Sequence, residues 1–332
     1  MNRRTRYFRF WTLTLSSLLV GLCFMDACYA QSTGLRRIGV VAVSVSEQSE
    51  EASSFRAGLQ DAGYVEGRDI SIEWWYGHSS YQQVDEGLAS ILQHKPEVIV
   101  VEGSPAALAA KRATTKIPIV MALVGDPVGI GVIQSLGHPG GNITGLTNET
   151  VDLVTKRLQL LHEALPKATR ILVPYNPDTP FSPRYLAALK TAAPQQGLQL
   201  TFTPVRRSQD VPPILSKLRR SAVDVLMPTD DAFMTSKVAE MLEPALKARI
   251  PIVYPYKPLA RKGVLLSYTV SSSELFRRSA GYVDKILKGT APADLPVEQP
   301  TKFELVINLK TARILALTIP ESVVLQADEI IR

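Results

Sequence analysis

The chain has 332 residues, of which 45% are hydrophobic, with a formal net charge of +6 and two cysteines. Such a length and apolar content bury a large core and suit two domains rather than one. Both cysteines, Cys23 and Cys28, fall in an N-terminal leader with four arginines and one aspartate. Its removal excludes a disulfide framework, a zinc–thiolate site and a cysteine nucleophile, and lowers the charge to +3, too little to invoke nucleic acid or a membrane surface.

In that leader Arg3, Arg4, Arg6 and Arg9 precede an apolar run over residues 10–25, and Cys28-Tyr29-Ala30 places small residues where a signal peptidase reads. This predicts a secretory signal peptide over 1–30, cleaved before Gln31, and a periplasmic protein. A membrane anchor fits less well, because the run contains Thr12, Thr14, Ser16, Ser17 and Gly21 and is shorter than the ~20 residues a span requires. A lipoprotein is the lesser alternative, since Leu22 before Cys23 and Asp26 before Ala27-Cys28 both spoil a lipid-attachment box.

Short apolar runs then alternate with amphipathic stretches. The pattern predicts strands over 38–43, 70–76, 98–101 and 119–124 and helices over 51–62, 81–94 and 106–114, with a turn at 139–142. Near 145–149 the chain leaves this unit and the alternation begins again. Helices are expected over 151–164, 183–193, 211–220 and 233–248, and strands over 170–173, 198–203, 223–227 and 252–254. Strands alternating with helices of this length mean βαβ units, so the fold class is α/β, two-lobed, each lobe a parallel sheet flanked by helices.

Residues 281–331 read GYVDKILKGTAPADLPVEQPTKFELVINLKTARILALTIPESVVLQADEII. A helix ends with Lys285 and Lys288 and stops at Gly289, where a left-handed C-cap is wanted. Pro292, Pro296 and Pro300 stud a linker, Phe303, Leu305 and Ile307 alternate as a strand, and Asn308 caps a last helix over 309–316. This wording strongly resembles the C-terminal end of the substrate-binding proteins of one bacterial ABC-transporter family. Further landmarks are Gly63-Tyr64-Val65-Glu66-Gly67, Ile117-Pro118-Ile119-Val120, Gly125-Asp126-Pro127-Val128 and His138-Pro139-Gly140-Gly141-Asn142. One departure is Trp75, where relatives often carry arginine.

The resemblance implies a type I periplasmic binding protein-like fold, in which three crossovers join two lobes that close on a ligand in the cleft. The domains are then discontinuous: lobe one spans 36–147 plus about 265–290, and lobe two spans 148–264 plus about 291–332. It also implies an extracytoplasmic solute-binding protein of an ABC importer, partnered by a small-molecule ligand and the permease membrane subunits, and a monomer. A ligand-sensing module for a membrane sensor and, less favoured, a periplasmic hydrolase are the alternatives.

Motifs of catalysis are missing from the wording. Gly129-Ile130-Gly131 lacks the third glycine of a dinucleotide fingerprint, and there is no Gly-x-Ser-x-Gly elbow. His78, His94, His138 and His162 have no metal-ligand spacing. No cofactor, metal or catalytic residue is expected. Asp230-Asp231 invites a paired-carboxylate reading, but sequence neighbours in a loop need not converge on one bond.

Open α/β sheets bind ligands at the carboxyl ends of their strands. Loops there nominate Ser46, Gly103, Ser104, Asp126, Asn176, Asp230, Asp231 and Tyr254 as ligand-binding residues, against the alternative that they are turn-formers and caps. These loops hold almost no arginine or lysine, apart from Lys257, which disfavours phosphate or dicarboxylate. Asp126 or Asp230 balances an ammonium, amides after Gly103-Ser104 hold a carboxylate, and Phe233, Tyr254, Tyr256 and Trp74 supply walls. An amino acid or similar zwitterion, aromatic in one version, is the expected ligand.

Overall fold

The computed structural model describes residues 34–332 except 79, 80 and 82, so the leader and its cleavage lie outside the described residues. The first sheet has five parallel strands in the order β2-β1-β3-β4-β5: β1 (Arg36–Ala42), β2 (Ile70–Tyr76), β3 (Val98–Glu102), β4 (Ile119–Val124) and β5 (Ile143–Thr147). Every residue of β3 and β5 is buried, as parallel strands covered on both faces require. The helices α1 (Glu50–Asp61), α2 (Val84–Gln93) and α3 (Ser104–Ala113) connect them. Sequence reading bounded this unit at 147 but expected no strand over 143–147, where β5 lies. Gly145, at φ +125°, lies so close to the Met121 backbone that any side chain would overlap it.

The second lobe is less regular. Its parallel strands β6 (Arg170–Tyr175), β7 (Gln199–Pro204) and β8 (Val225–Leu226) take the order β7-β6-β8. The helices are α4 (Val154–Ala164), α5 (Ser182–Ala192), α6 (Val211–Leu215), α7 (Ala232–Lys247) and α8 (Lys257–Lys262). The strands expected over 223–227 and 252–254 shrink to two residues and to single bridges, Leu226 to Ile252 and Val253 to Leu266. Pro228 and Pro251 border those runs and have no amide to donate to a ladder. The helix expected over 211–220 ends at Leu215; Lys217 and Leu218 then donate three residues back, to Ile214 and Leu215, in tighter turns.

After β9 (Leu266–Val270) comes the long helix α9 (Ser272–Leu287), then β10 (Phe303–Asn308), α10 (Leu309–Ile314), α11 (Glu321–Val324) and β11 (Glu329–Ile331). Gly289, at φ +101°, follows the α9 cap, and Asn308 accepts the Thr311 amide at 2.8 Å at the start of α10. Helix α9 packs on α1 in the first lobe, where bare Gly58 admits the Arg277 carbonyl and the Ala280 methyl.

Two boundaries differ from the expected ones. The return to the first lobe comes after Val270, not near 265, because β9 pairs antiparallel with β10 in the second lobe. That antiparallel pair belongs to a separate three-stranded sheet, β11-β10-β9, which is mixed, whereas β7-β6-β8 is purely parallel. The last passage comes near 300–302, not 291, because Leu295 and Val297 are buried in first-lobe clusters and Glu298 donates to and accepts from the backbone of β5. At the first crossover Glu149 accepts a hydrogen bond from Gln299 of the third. Both lobes belong to one compact unit, Arg36–Arg332.

Candidate functional site

A cavity of about 350 Å3 lies between the lobes. It is built from chain reversals: the N-termini of α1, α3, α7, α8 and α9 all open on it. Each helix start brings free amides and the positive end of a dipole. All five are reached from the carboxyl end of a strand or bridge, so the sheet topology itself converges them.

The first lobe contributes carboxylates that no lysine or arginine among the described residues neutralises. Glu102, at the end of β3 and 3% exposed, accepts the Val43 and Ser44 amides on Oε2 at 2.6 and 2.8 Å and the Ser44 hydroxyl on Oε1 at 2.7 Å. Burial pushes its carboxyl above the ordinary value, with those hydrogen bonds opposing and nearby Glu51 adding. Glu51, also buried, accepts from the Ser272 hydroxyl at 2.6 Å.

The second lobe contributes two adjacent aspartates with separate duties. Asp230 pairs with Arg157 at 3.0 Å, an arginine only 2% exposed, whose Nε donates to the Tyr268 carbonyl at 3.0 Å. Burial raises the Asp230 carboxyl and Arg157 opposes the rise. Asp231 caps α7: Oδ1 accepts the Met234 amide at 3.0 Å and the Tyr81 hydroxyl, from the first lobe, at 3.2 Å, and Oδ2 accepts from Thr229. Burial pushes Asp231 up to about 7; the Met234, Thr229 and Tyr81 hydrogen bonds counter it and Asp230 adds to it. The basic residues at the cavity, Lys257 and Arg261, are engaged with Glu304 and Glu329.

Of the eight nominated residues, Gly103, Ser104, Asp230 and Asp231 line the cavity. The other four do not. Ser46 is exposed in the β1 loop and accepts the Ser49 amide on its carbonyl. Asp126 sits at φ +49° beside Arg184, 3.1 Å away. Asn176 is buried and turns the chain by accepting the Asp178 amide. Tyr254 is fully buried in the second lobe, its hydroxyl 2.8 Å from Thr235 and donating to the Asp231 carbonyl. These side chains are turn-formers and core groups, held by the backbone they organise.

Among the expected walls only Tyr256 reaches the cavity. Trp74 packs edge-on against Phe55 and stacks on Tyr76 in the first-lobe core, while Phe233 lies under the Lys237 ammonium. Trp75 covers bare Gly87, so its ring is accommodated by a missing side chain. Sequence reading overlooked Tyr81, Asn148, Thr150, Phe181 and the Ser271–Ser273 start of α9, all of which line the cavity. The reading that these loops lack arginine overlooked Arg157, which sits inside α4. Its signal was positional: it shares a face with Val154, Leu158 and Leu161, so it is turned inward where an arginine needs a buried partner.

Comparison with known proteins adds three findings. The family model described as ABC transporter substrate binding protein matches residues 38–331. A tyrosine-binding protein of Clostridioides difficile is 28% identical over 261 residues, 79% of this chain and 75% of that one. Among solved structures, an ABC domain in complex with L-Trp from Streptococcus pneumonia superimposes with a TM-score of 0.81 at 25% identity, covering 90% of this chain and all of that one. A conserved domain protein from Vibrio cholerae gives 0.84 at 27% identity, with the same coverage.

Proposed function

Because this chain belongs to the ABC transporter substrate-binding protein family and has the type I periplasmic binding protein fold, we propose that it captures an aromatic amino acid by lobe closure and delivers it to an ABC permease. The observation that carries this reading is the cavity of about 350 Å3 lined from both lobes. A ligand touching both stabilises the closed arrangement over an open one by its differential contacts alone.

In this reading each part of such a ligand has a place. An ammonium faces Asp231, with Glu51 and Glu102 across the cleft and no lysine or arginine among the described residues neutralising them. This replaces the expectation that Asp126 or Asp230 receives it, since each already has an arginine of its own. A carboxylate rests on amides at the α3 and α9 N-termini. Tyr81, Phe181 and Tyr256 give aromatic walls, and Pro105, Pro255 and Pro258 rigid apolar ones. The L-Trp and tyrosine descriptions of the relatives support this ligand class.

The family works outside the cytoplasm, and no helix among the described residues is long and apolar enough to cross a membrane. The secretory leader over 1–30 supplies the route, and intact mass of exported protein tests it: a chain beginning at Gln31 is expected, and a species retaining acylated Cys23 or Cys28 overturns it. The solute reading is tested by calorimetry with L-tyrosine and L-tryptophan, alongside native mass spectrometry of protein purified without denaturation. Heat of binding to at least one, and no turnover, is expected. Absence of binding to both, with a different mass co-purifying, sinks it.

A further inference from the structure

The loop after β4 runs Gly125-Asp126-Pro127-Val128-Gly129-Ile130-Gly131, and of these residues only Gly125 lines the cavity. The loop instead reaches across to the second lobe, at the start of α5. The Phe181 ring lies against Gly125, where an added methyl would come within 3.2 Å of a ring carbon. One turn further on, Arg184 Nε stands 3.1 Å from Asp126 Oδ2. Asp126 Oδ1 accepts the Gly129 amide at 3.0 Å, which fixes the carboxylate from its own side. A methyl on Gly129 would overlap the Arg184 guanidinium, so that group lies over bare backbone. Ile130 packs against the cores of both lobes. Asp126 holds a left-handed φ of +49°, a conformation that costs a non-glycine residue energy and persists where surrounding contacts over-determine it.

We propose that residues 126–131 of this loop and Arg184 in the first turn of α5 form a latch outside the cavity, so that affinity for the solute is set partly by residues that never touch it. The inference rests on the closure reading above. Contacts between lobes that exist only when they meet add to the free energy of the closed form whatever the cavity contains. They act after encounter, so they slow dissociation and leave association alone. Arg184 is more than half exposed while the Asp126 side chain is 13% exposed. The pair is therefore worth little as a surface ion pair, and its effect comes mainly from leaving Asp126 without a partner.

The test is a double-mutant cycle on the full-length protein with Asp126→Asn, Arg184→Gln and their combination. Stopped-flow measurement gives association and dissociation rates for L-tyrosine and L-tryptophan, and melting curves are taken without solute. Each single variant is expected to speed dissociation about two- to fivefold with association unchanged, and the double variant to be no faster than the worse single. Gly129→Ala, which crowds the guanidinium, is expected to act in the same direction. Additive effects in the double variant, or unchanged dissociation in all of them, overturn the latch. If neither amino acid binds the wild type, the solute reading fails by itself and the latch is judged on the solute-free melts. Non-additive shifts there support lobes latched without solute, and additive or absent shifts overturn the latch.

Discussion

The two lobes solve the same architectural problem with different materials. The first is a five-stranded parallel sheet of nearly unbroken apolar strands, with helices against both faces. It sends three carboxylates to the cleft, Glu50, Glu51 and Glu102; amides and hydroxyls hold the last two, and no lysine or arginine among the described residues forms an ion pair with any of them. The second has strands interrupted by proline, an antiparallel pair, and an arginine sunk in its core. Its Asp230 is consumed by that arginine and its Glu304 by Lys257. A carboxylate at the cleft is thus evidence for ligand charge only after its own partners are counted. By that count Glu50, Glu51, Glu102 and Asp231 remain among the described residues, and Asp230 already holds Arg157.

The largest effect that could break this contrast is removal of the buried arginine. Arg157→Ala leaves Asp230 buried and unpaired and strips the Tyr268 carbonyl of its donor. It is expected to cost ~3–5 kcal/mol of stability, measured by urea unfolding. Removing both charges in an apolar pair, Arg157→Met with Asp230→Leu, should recover much of that. If Arg157→Ala loses less than about 1 kcal/mol, the pair is solvated and Asp230 returns as a candidate for the ligand's ammonium.

Asp231 sharpens the comparison through pH. Burial raises it to about 7 in the folded protein, against ~3.9 in an unfolded chain. Between those values the folded state holds a proton that the unfolded state has released. The carboxyl's contribution to stability is therefore whole below about 4, falls as pH rises and is lost past about 7, over a range of a few kcal/mol. Asp231→Asn keeps a competent helix cap and should flatten that part of the stability–pH curve. An amino acid's ammonium favours the ionised carboxylate, so wild-type affinity should rise from pH 5 to 7.5 and that of the variant should not. Affinity that is flat with pH in both proteins would remove Asp231 from the site.

A smaller effect belongs to the first lobe alone. Gly145→Ala places a methyl against the Met121 backbone at a φ that favours glycine and is expected to cost ~1–3 kcal/mol by thermal unfolding. A neutral outcome would mean that β4 and β5 can separate, and that the first sheet is less rigid than its register implies.

How far the sequence could be read follows the same division. The first lobe's strands and helices lay where hydrophobic period placed them, because continuous β-branched runs such as 98–101 have no competing reading. Only β5 escaped, since Gly145 breaks its pattern for a packing reason that involves Met121, a residue far away in sequence. In the second lobe β6 and β7 were found close to their places, the runs over 223–227 and 252–254 were overextended because Pro228 and Pro251 end a hydrogen-bonded ladder without ending the apolar run, and β9 and β11 were missed. Residues at helix starts, Gly103, Ser104 and Asp231, were legible from topology alone. Asp126, Asn176 and Tyr254 lie off the cavity, because strand-end position says where a residue is, not what its side chain already holds. Partners such as Arg157 and Arg184 lie 73 and 58 positions from their aspartates, a separation no local pattern encodes.

Ser104→Ala is the smallest of these tests and the one that separates the helix start from its side chain. The Ser104 hydroxyl is buried and donates to the Gly125 carbonyl at 3.0 Å. It is therefore committed to tying α3 to the β4 loop, and deletion should cost ~1 kcal/mol of stability. Any ligand carboxylate at this point meets backbone amides, which the substitution leaves in place with the helix dipole behind them. Affinity for L-tyrosine or L-tryptophan should then change by less than about threefold, or ~0.7 kcal/mol. Calorimetry on a variant shown to fold by its melting curve decides it. A tenfold loss would mean that the hydroxyl turns from Gly125 to the ligand on closure, and the first lobe would then recognise the carboxylate with a side chain as well as with its backbone.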